Sequence, residues 1–171
     1  MVSRRFPIFA LRFLAILALA GVPAGCDETP VAPGFEPHRT YSVTFEVEFA
    51  TEAPSGCAGV GGAPGESVHL KAGAAPVRPE PVDEDGYYQI NIDKGNQFQG
   101  GSDAIRIGDV ANSNTACLDW VWEMKTVESQ DPFQVTADAE GTVWVIVGTD
   151  SGFEARTELY YTRVRADFQP L

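Results

Sequence analysis

The feature that most constrains this chain is the run Tyr41-Ser42-Val43-Thr44-Phe45-Glu46-Val47-Glu48-Phe49, in which every odd position is aromatic or Val and every even one is polar. A period of two puts alternate side chains on opposite faces, so the run predicts a strand with one buried face and one wet face. Further short strands are predicted over 67–71, 87–92, 104–107, 116–124, 133–137, 142–147 and 156–165. Turn residues separate them at Asp85-Gly86, Lys94-Gly95, Gly100-Gly101, Glu140-Gly141 and Ser151-Gly152. No window carries a sustained helical period. Seven to eight strands at this spacing predict an all-β fold, an antiparallel β-sandwich of the Ig-like or transthyretin-like kind. Ala139-Glu140-Gly141 reads as a tight hairpin between two of the strands.

With 171 residues there is room for one ordinary domain. Its start is set aside from the fold. Arg4 and Arg5 precede an apolar run over 13–22, which is too short for the roughly 20 residues that a bilayer-spanning helix needs. This pattern predicts an export signal over 1–25. The closing Ala24-Gly25-Cys26 resembles the lipobox of bacterial lipoproteins, with Pro23 standing where that family prefers Leu, Val or Ile. The resemblance implies that Cys26 is acylated and becomes the new N-terminus, and that the membrane is reached through this anchor. Asp27 resembles the inner-membrane retention signal of enteric bacteria. Residues 26–40 carry Pro30, Pro33 and Pro37 and are expected to form a tether. At about 3.1 Å per residue it reaches roughly 40 Å from the lipid to the sandwich at 41–171.

Charge narrows the partners. The chain has 12 Lys and Arg against 24 Asp and Glu; without the three arginines of the signal the exported part stands at −15. A field of that sign repels nucleic acid and anionic headgroups, so no nucleic-acid partner is expected and attachment falls to acyl chains. An envelope protein or a glycan remains as the partner. Apart from Cys26, the cysteines are Cys57 and Cys117, an even pair in an oxidising compartment, and a disulfide between them is expected. The Gly- and Pro-rich loop over 51–65 has no lysine at its end, which excludes a phosphate-cradling loop.

The segment Val82-Asp83-Glu84-Asp85-Gly86-Tyr87-Tyr88-Gln89-Ile90-Asn91-Ile92, followed by Lys94-Gly95, resembles a turn-plus-strand motif of carboxypeptidase-regulatory-like and transthyretin-like domains. The resemblance implies a seven-stranded sandwich without catalytic residues of its own. In the same segment Asp83 and Asp85 offer hard oxygen ligands, so a calcium ion is the one cofactor to weigh. The plainer reading is a polar turn with Gly86 at positive φ, because the twelve-residue calcium loop is missing.

Strand alternation over 118–124 places Leu118, Trp120, Trp122 and Met124 on one face, most simply a core face. The alternative is an exposed pair of indoles that stack on sugar rings, with Tyr87, Tyr160 and Tyr161 as additions. The catalytic inventory is thin. His38 falls in the tether, His69 lies in a strand facing solvent or a loop, and no Gly-x-Ser-x-Gly elbow occurs. The sequence thus predicts a lipid-anchored, extracytoplasmic β-sandwich with a non-catalytic binding or structural role. A sugar- or calcium-binding module and a small hydrolase stand as alternatives.

Overall fold

The structure, a computed structural model, describes residues 34–171. The signal sequence, Cys26 and the first part of the tether lie outside the described residues. The described residues form nine strands: β1 (Thr40–Thr51), β2 (Val68–Ala75), β3 (Pro81–Glu84), β4 (Tyr87–Ile90), β5 (Ala104–Asp109), β6 (Glu123–Glu128), β7 (Phe133–Thr136), β8 (Trp144–Ser151) and β9 (Leu159–Pro170). All pairings are antiparallel.

β1 organises the first sheet. One of its edges pairs with β9 along its whole length, and the other is shared by β7 near its start and β6 near its end. The alternation predicted from sequence is what the strand does: Val43, Phe45, Val47 and Phe49 are buried and point into the sandwich. Facing them, Val68, Leu70, Ala72 and Ala74 come from β2, the centre of a second sheet ordered β5-β2-β8. Removing the Val, Phe and Leu side chains of this set from water contributes about 1.5–3 kcal/mol each, so the two central strands carry much of the apolar stabilisation. Four strands and three make a seven-stranded sandwich, and β3 with β4 form a separate hairpin.

Every residue of β2 is buried, on both faces. The outer face is roofed by the loop over 93–103, which explains why two polar residues are sealed there. Lys71 is 3% exposed, and its Nζ donates to the carbonyl oxygens of Lys94 (2.8 Å), Asn96 and Gln99 (3.2 Å) and to Asp150 Oδ2 (3.4 Å). A buried ammonium is tolerated because its three donors find these oxygens. Burial opposes ionisation of Asp150, but the hydrogen bond and charge of Lys94, with Lys71 behind it, outweigh that and hold its carboxyl below the usual range. The loop closes on itself through Asp93, which accepts the Gly95 and Ser102 N–H groups at 2.9 Å each; these two bonds lower its pKa. At Gly73 the roof comes so near that a Cβ would collide with the Asp103 carbonyl. His69, 3% exposed, packs on Phe98 with ring centroids 5.0 Å apart, so of the two expected surroundings it takes the loop.

Two expectations are corrected, and one strand is added. Residues 116–122 are not a strand: β6 begins only at Glu123, because its partner β1 ends opposite it at Thr51 and nothing is left to pair with earlier residues. The turn at Ala139-Glu140-Gly141 is real, with Asp138 Oδ1 accepting the Glu140 and Thr142 N–H groups, but it is not a hairpin, since β7 and β8 lie in different sheets. Strand β3, opening at Pro81 amid prolines, was not anticipated. In addition, the end of the expected tether is docked: Phe35 donates its N–H to the Gly141 carbonyl (3.0 Å) and stacks near Tyr41 and Phe168.

Burial lowers the His69 pKa below 6.5, and Arg106 adds to that effect. The unfolded chain therefore takes up the proton first, so this contribution to stability is complete above pH 6.5 and is lost as pH falls below it. The melting temperature should drop between about pH 7.5 and about pH 5.5, where carboxylates stay ionised, and should drop less in His69→Phe.

Candidate functional site

The segment joining β5 to β6 is long, irregular and well tied down. Val110 is fully buried, and its carbonyl accepts from Thr51 Oγ1 at 2.8 Å. Asn112, also buried, donates its backbone N–H to the Ala53 carbonyl (2.8 Å) and its side-chain amide to the carbonyls of Val121 (2.8 Å) and Thr51 (3.3 Å). Asn114 Oδ1 accepts from the Ala116 N–H (2.9 Å), and its amide reaches the Asp119 carbonyl. Glu123 receives Ser113 through both backbone and hydroxyl. The disulfide Cys57–Cys117, with Cα atoms 5.5 Å apart, fastens the middle of the segment to the loop after β1. Side-chain amides thus satisfy backbone groups that a neighbouring strand would otherwise pair.

This scaffold presents its apolar residues outward. Leu118 is 96% exposed, Trp120 45% and Trp122 41%, and Met124 is exposed as well, so the expectation that this face is core is overturned. The reason is topological: the segment lies beyond the end of β1, where no opposing sheet exists to cover it. In the first sheet Met124 and Tyr160 flank Ala50 from either side on the outer face, and Trp122 rests near Tyr160 with ring centroids 5.0 Å apart and planes tilted by 58°. Tyr161 points the other way, into the core near Phe49, and burial pushes its hydroxyl up to about 12. Of the tyrosines considered from sequence, only Tyr160 joins the indoles. Tyr87 is exposed on the β3–β4 hairpin, separate from the Trp122–Tyr160 pair.

Trp120 borders a cleft of about 10 Å³ with Glu52, Pro64, Phe153, Arg156 and Glu158. That is room for a single water, so the cleft does not enclose a ligand and what is offered is the exposed ring surface beside it. Its lining includes the carboxylates of Glu52 and Glu158, with Arg156 engaged to Glu158. Chemically, such a surface offers flat apolar faces beside hydrogen-bond acceptors, the combination that suits a sugar ring with its C–H faces and hydroxyl rim. A larger groove of about 280 Å³, lined by Thr44, Glu46, Glu128, Ser129, Arg165 and Asp167, lies on the outer face where β6 gives way to β7. No sequence pattern pointed to it, because its residues come from three distant strands and a connecting loop.

The remaining candidates are placed as follows. Asp83 Oδ1 accepts the Gly86 N–H at 2.8 Å, Asp85 and Gly86 have φ of 54° and 87°, and together they make the two-residue turn of the β3–β4 hairpin. Among the described residues no group of three or more His, Cys, Asp or Glu is arranged to hold a metal ion. Both ring nitrogens of the enclosed His69 lack a hydrogen-bond partner. The chain matches no protein-family model, no curated protein and no solved structure.

The disulfide closes a separation of 60 residues. Replacing both cysteines by Ser should lower stability by about 4 kcal/mol, read as a shift in the urea midpoint, and reductant should reproduce that shift in the native chain but not in the variant.

Proposed function

We propose that this chain is a lipid-anchored, extracytoplasmic β-sandwich that works by non-catalytic binding, with Trp120, Trp122 and Tyr160 as its contact face. The observation that carries the reading is that Trp120 and Trp122 are both exposed on a disulfide-pinned loop outside the core, with Trp122 packed on Tyr160. Large apolar side chains grouped on a surface, and ordered there by buried Asn112 and a covalent tie, serve recognition better than stability. The preferred ligand class is a neutral glycan, because the −15 charge of the exported part and the carboxylates lining the cleft disfavour anionic polymers. An envelope protein is the competing partner. A non-catalytic role is supported by the state of His69, the histidine a catalytic triad would need, which is packed beneath the 93–103 loop. Attachment rests on Cys26 and the lipobox-like Ala24-Gly25-Cys26, and the Cys57–Cys117 bond suits an oxidising compartment. The transthyretin-like and carboxypeptidase-regulatory-like resemblance belongs to the same reading, supported by the seven-stranded sandwich and the Asp85-Gly86 turn.

On an array of neutral oligosaccharides the exported domain should bind, and Trp120→Ala or Trp122→Ala should each weaken binding about tenfold with the circular dichroism unchanged. Absence of binding, or binding indifferent to both substitutions, refutes this contact face. Labelled palmitate should enter the native chain and not Cys26→Ser; equal labelling of the two refutes the anchor.

A further inference from the structure

β9 is a twelve-residue strand with one edge on β1; among the described residues nothing pairs with its other edge. A long open edge is a template for another strand unless something blocks it. The ladder fixes which groups face outward. Leu171 donates its N–H to the Thr40 carbonyl, and the register then runs Ser42↔Gln169, Thr44↔Asp167, Glu46↔Arg165. Odd residues of β9 from 163 on are therefore bonded to β1, while the N–H and C=O groups of Val164, Ala166 and Phe168 point away from it.

An antiparallel partner has to place these even residues opposite even residues. Centred on Ala166, a second copy of β9 sets Val164 against Phe168 of the other copy and Ala166 against itself. On the outer face the same register sets Arg165 against Asp167 of the second copy, twice. A shift of one residue in the centre to either side sets Arg165 against Arg165, beside two Arg163–Asp167 pairs, or Asp167 against Asp167, so of these three registers the one centred on Ala166 is free of like-charge pairs. Within the chain neither Asp167 Oδ1 nor Arg165 Nε has a hydrogen-bond partner; Nε lies 2.8 Å from Asp167 Oδ2 as an ion pair only. Turning Arg165 toward the second copy would uncover Oδ1 for that copy's guanidinium. Pro170, which lacks an N–H, falls opposite the irregularity at Thr162, where the ladder has already ended.

We propose that two copies of the chain pair antiparallel through the open edges of β9, with Ala166 on the two-fold axis and reciprocal Arg165–Asp167 bridges fixing the register. The first sheets of the two copies become one continuous sheet whose outer face carries two Trp122–Tyr160 pairs on the same side.

Equilibrium sedimentation of the full chain in non-ionic detergent across the micromolar range tests this. The native chain should populate a dimer. Arg165→Asp and Asp167→Arg should each weaken it about tenfold, since two cross-strand pairs reverse at once, and the double exchange should restore it. Ala166→Pro removes an N–H that faces away from β1, so it should leave the circular dichroism unchanged and abolish the dimer. A monomer throughout, or a dimer that ignores Ala166→Pro and both charge reversals, overturns the proposal.

Discussion

β1 is hydrogen-bonded along both edges and buries its odd-numbered side chains, and the other elements are arranged around that fact. Because β9 takes one whole edge, the other has to be divided, and β6 and β7 share it end to end. The short connection between them follows that edge, with Ser129 exchanging hydrogen bonds with the backbone of Phe45. Where β1 stops, at Thr51, the sheet stops too. The segment before Glu123 is left without a ladder, and that is where the aromatic residues emerge.

The second sheet solves a different problem. β2 is buried on both faces although only one meets the core, so the outer face needed its own cover. The loop over 93–103 provides it, and Lys71 fastens the loop from below by satisfying three of its carbonyls. A buried charge that is fully bonded specifies one loop conformation where an apolar side chain would allow several. The aromatic loop is built on a related principle, with Asn112 and the disulfide in place of the lysine.

How much of this was legible follows from where each interaction partner lies. The 41–49 alternation is local and unambiguous, and β1 forms as read. The Asp85-Gly86 turn is equally local. Lys71 was not readable as buried: in Val68-His69-Leu70-Lys71 it looks like an ordinary outward residue, and the oxygens that hold it arrive more than twenty positions later. The period-two pattern over 118–124 misled for a complementary reason. Alternation states which residues share a face if a strand forms, but a strand also needs a partner, and β1 has run out. The available signal was the Asn112-Ser113-Asn114 cluster just upstream, whose side chains compete for backbone groups. The aromatic residues of this segment are therefore exposed where alternation alone places them in the core.

The account turns on those indoles meeting solvent while the core around β1 stays closed. Acrylamide quenching of tryptophan emission, in the Trp144→Phe chain so that only Trp120 and Trp122 report, measures it directly. The account predicts red-shifted, readily quenched emission in the folded state, with the far-ultraviolet circular dichroism of a β protein. Blue-shifted emission that acrylamide barely reaches would contradict it and return both side chains to the interior.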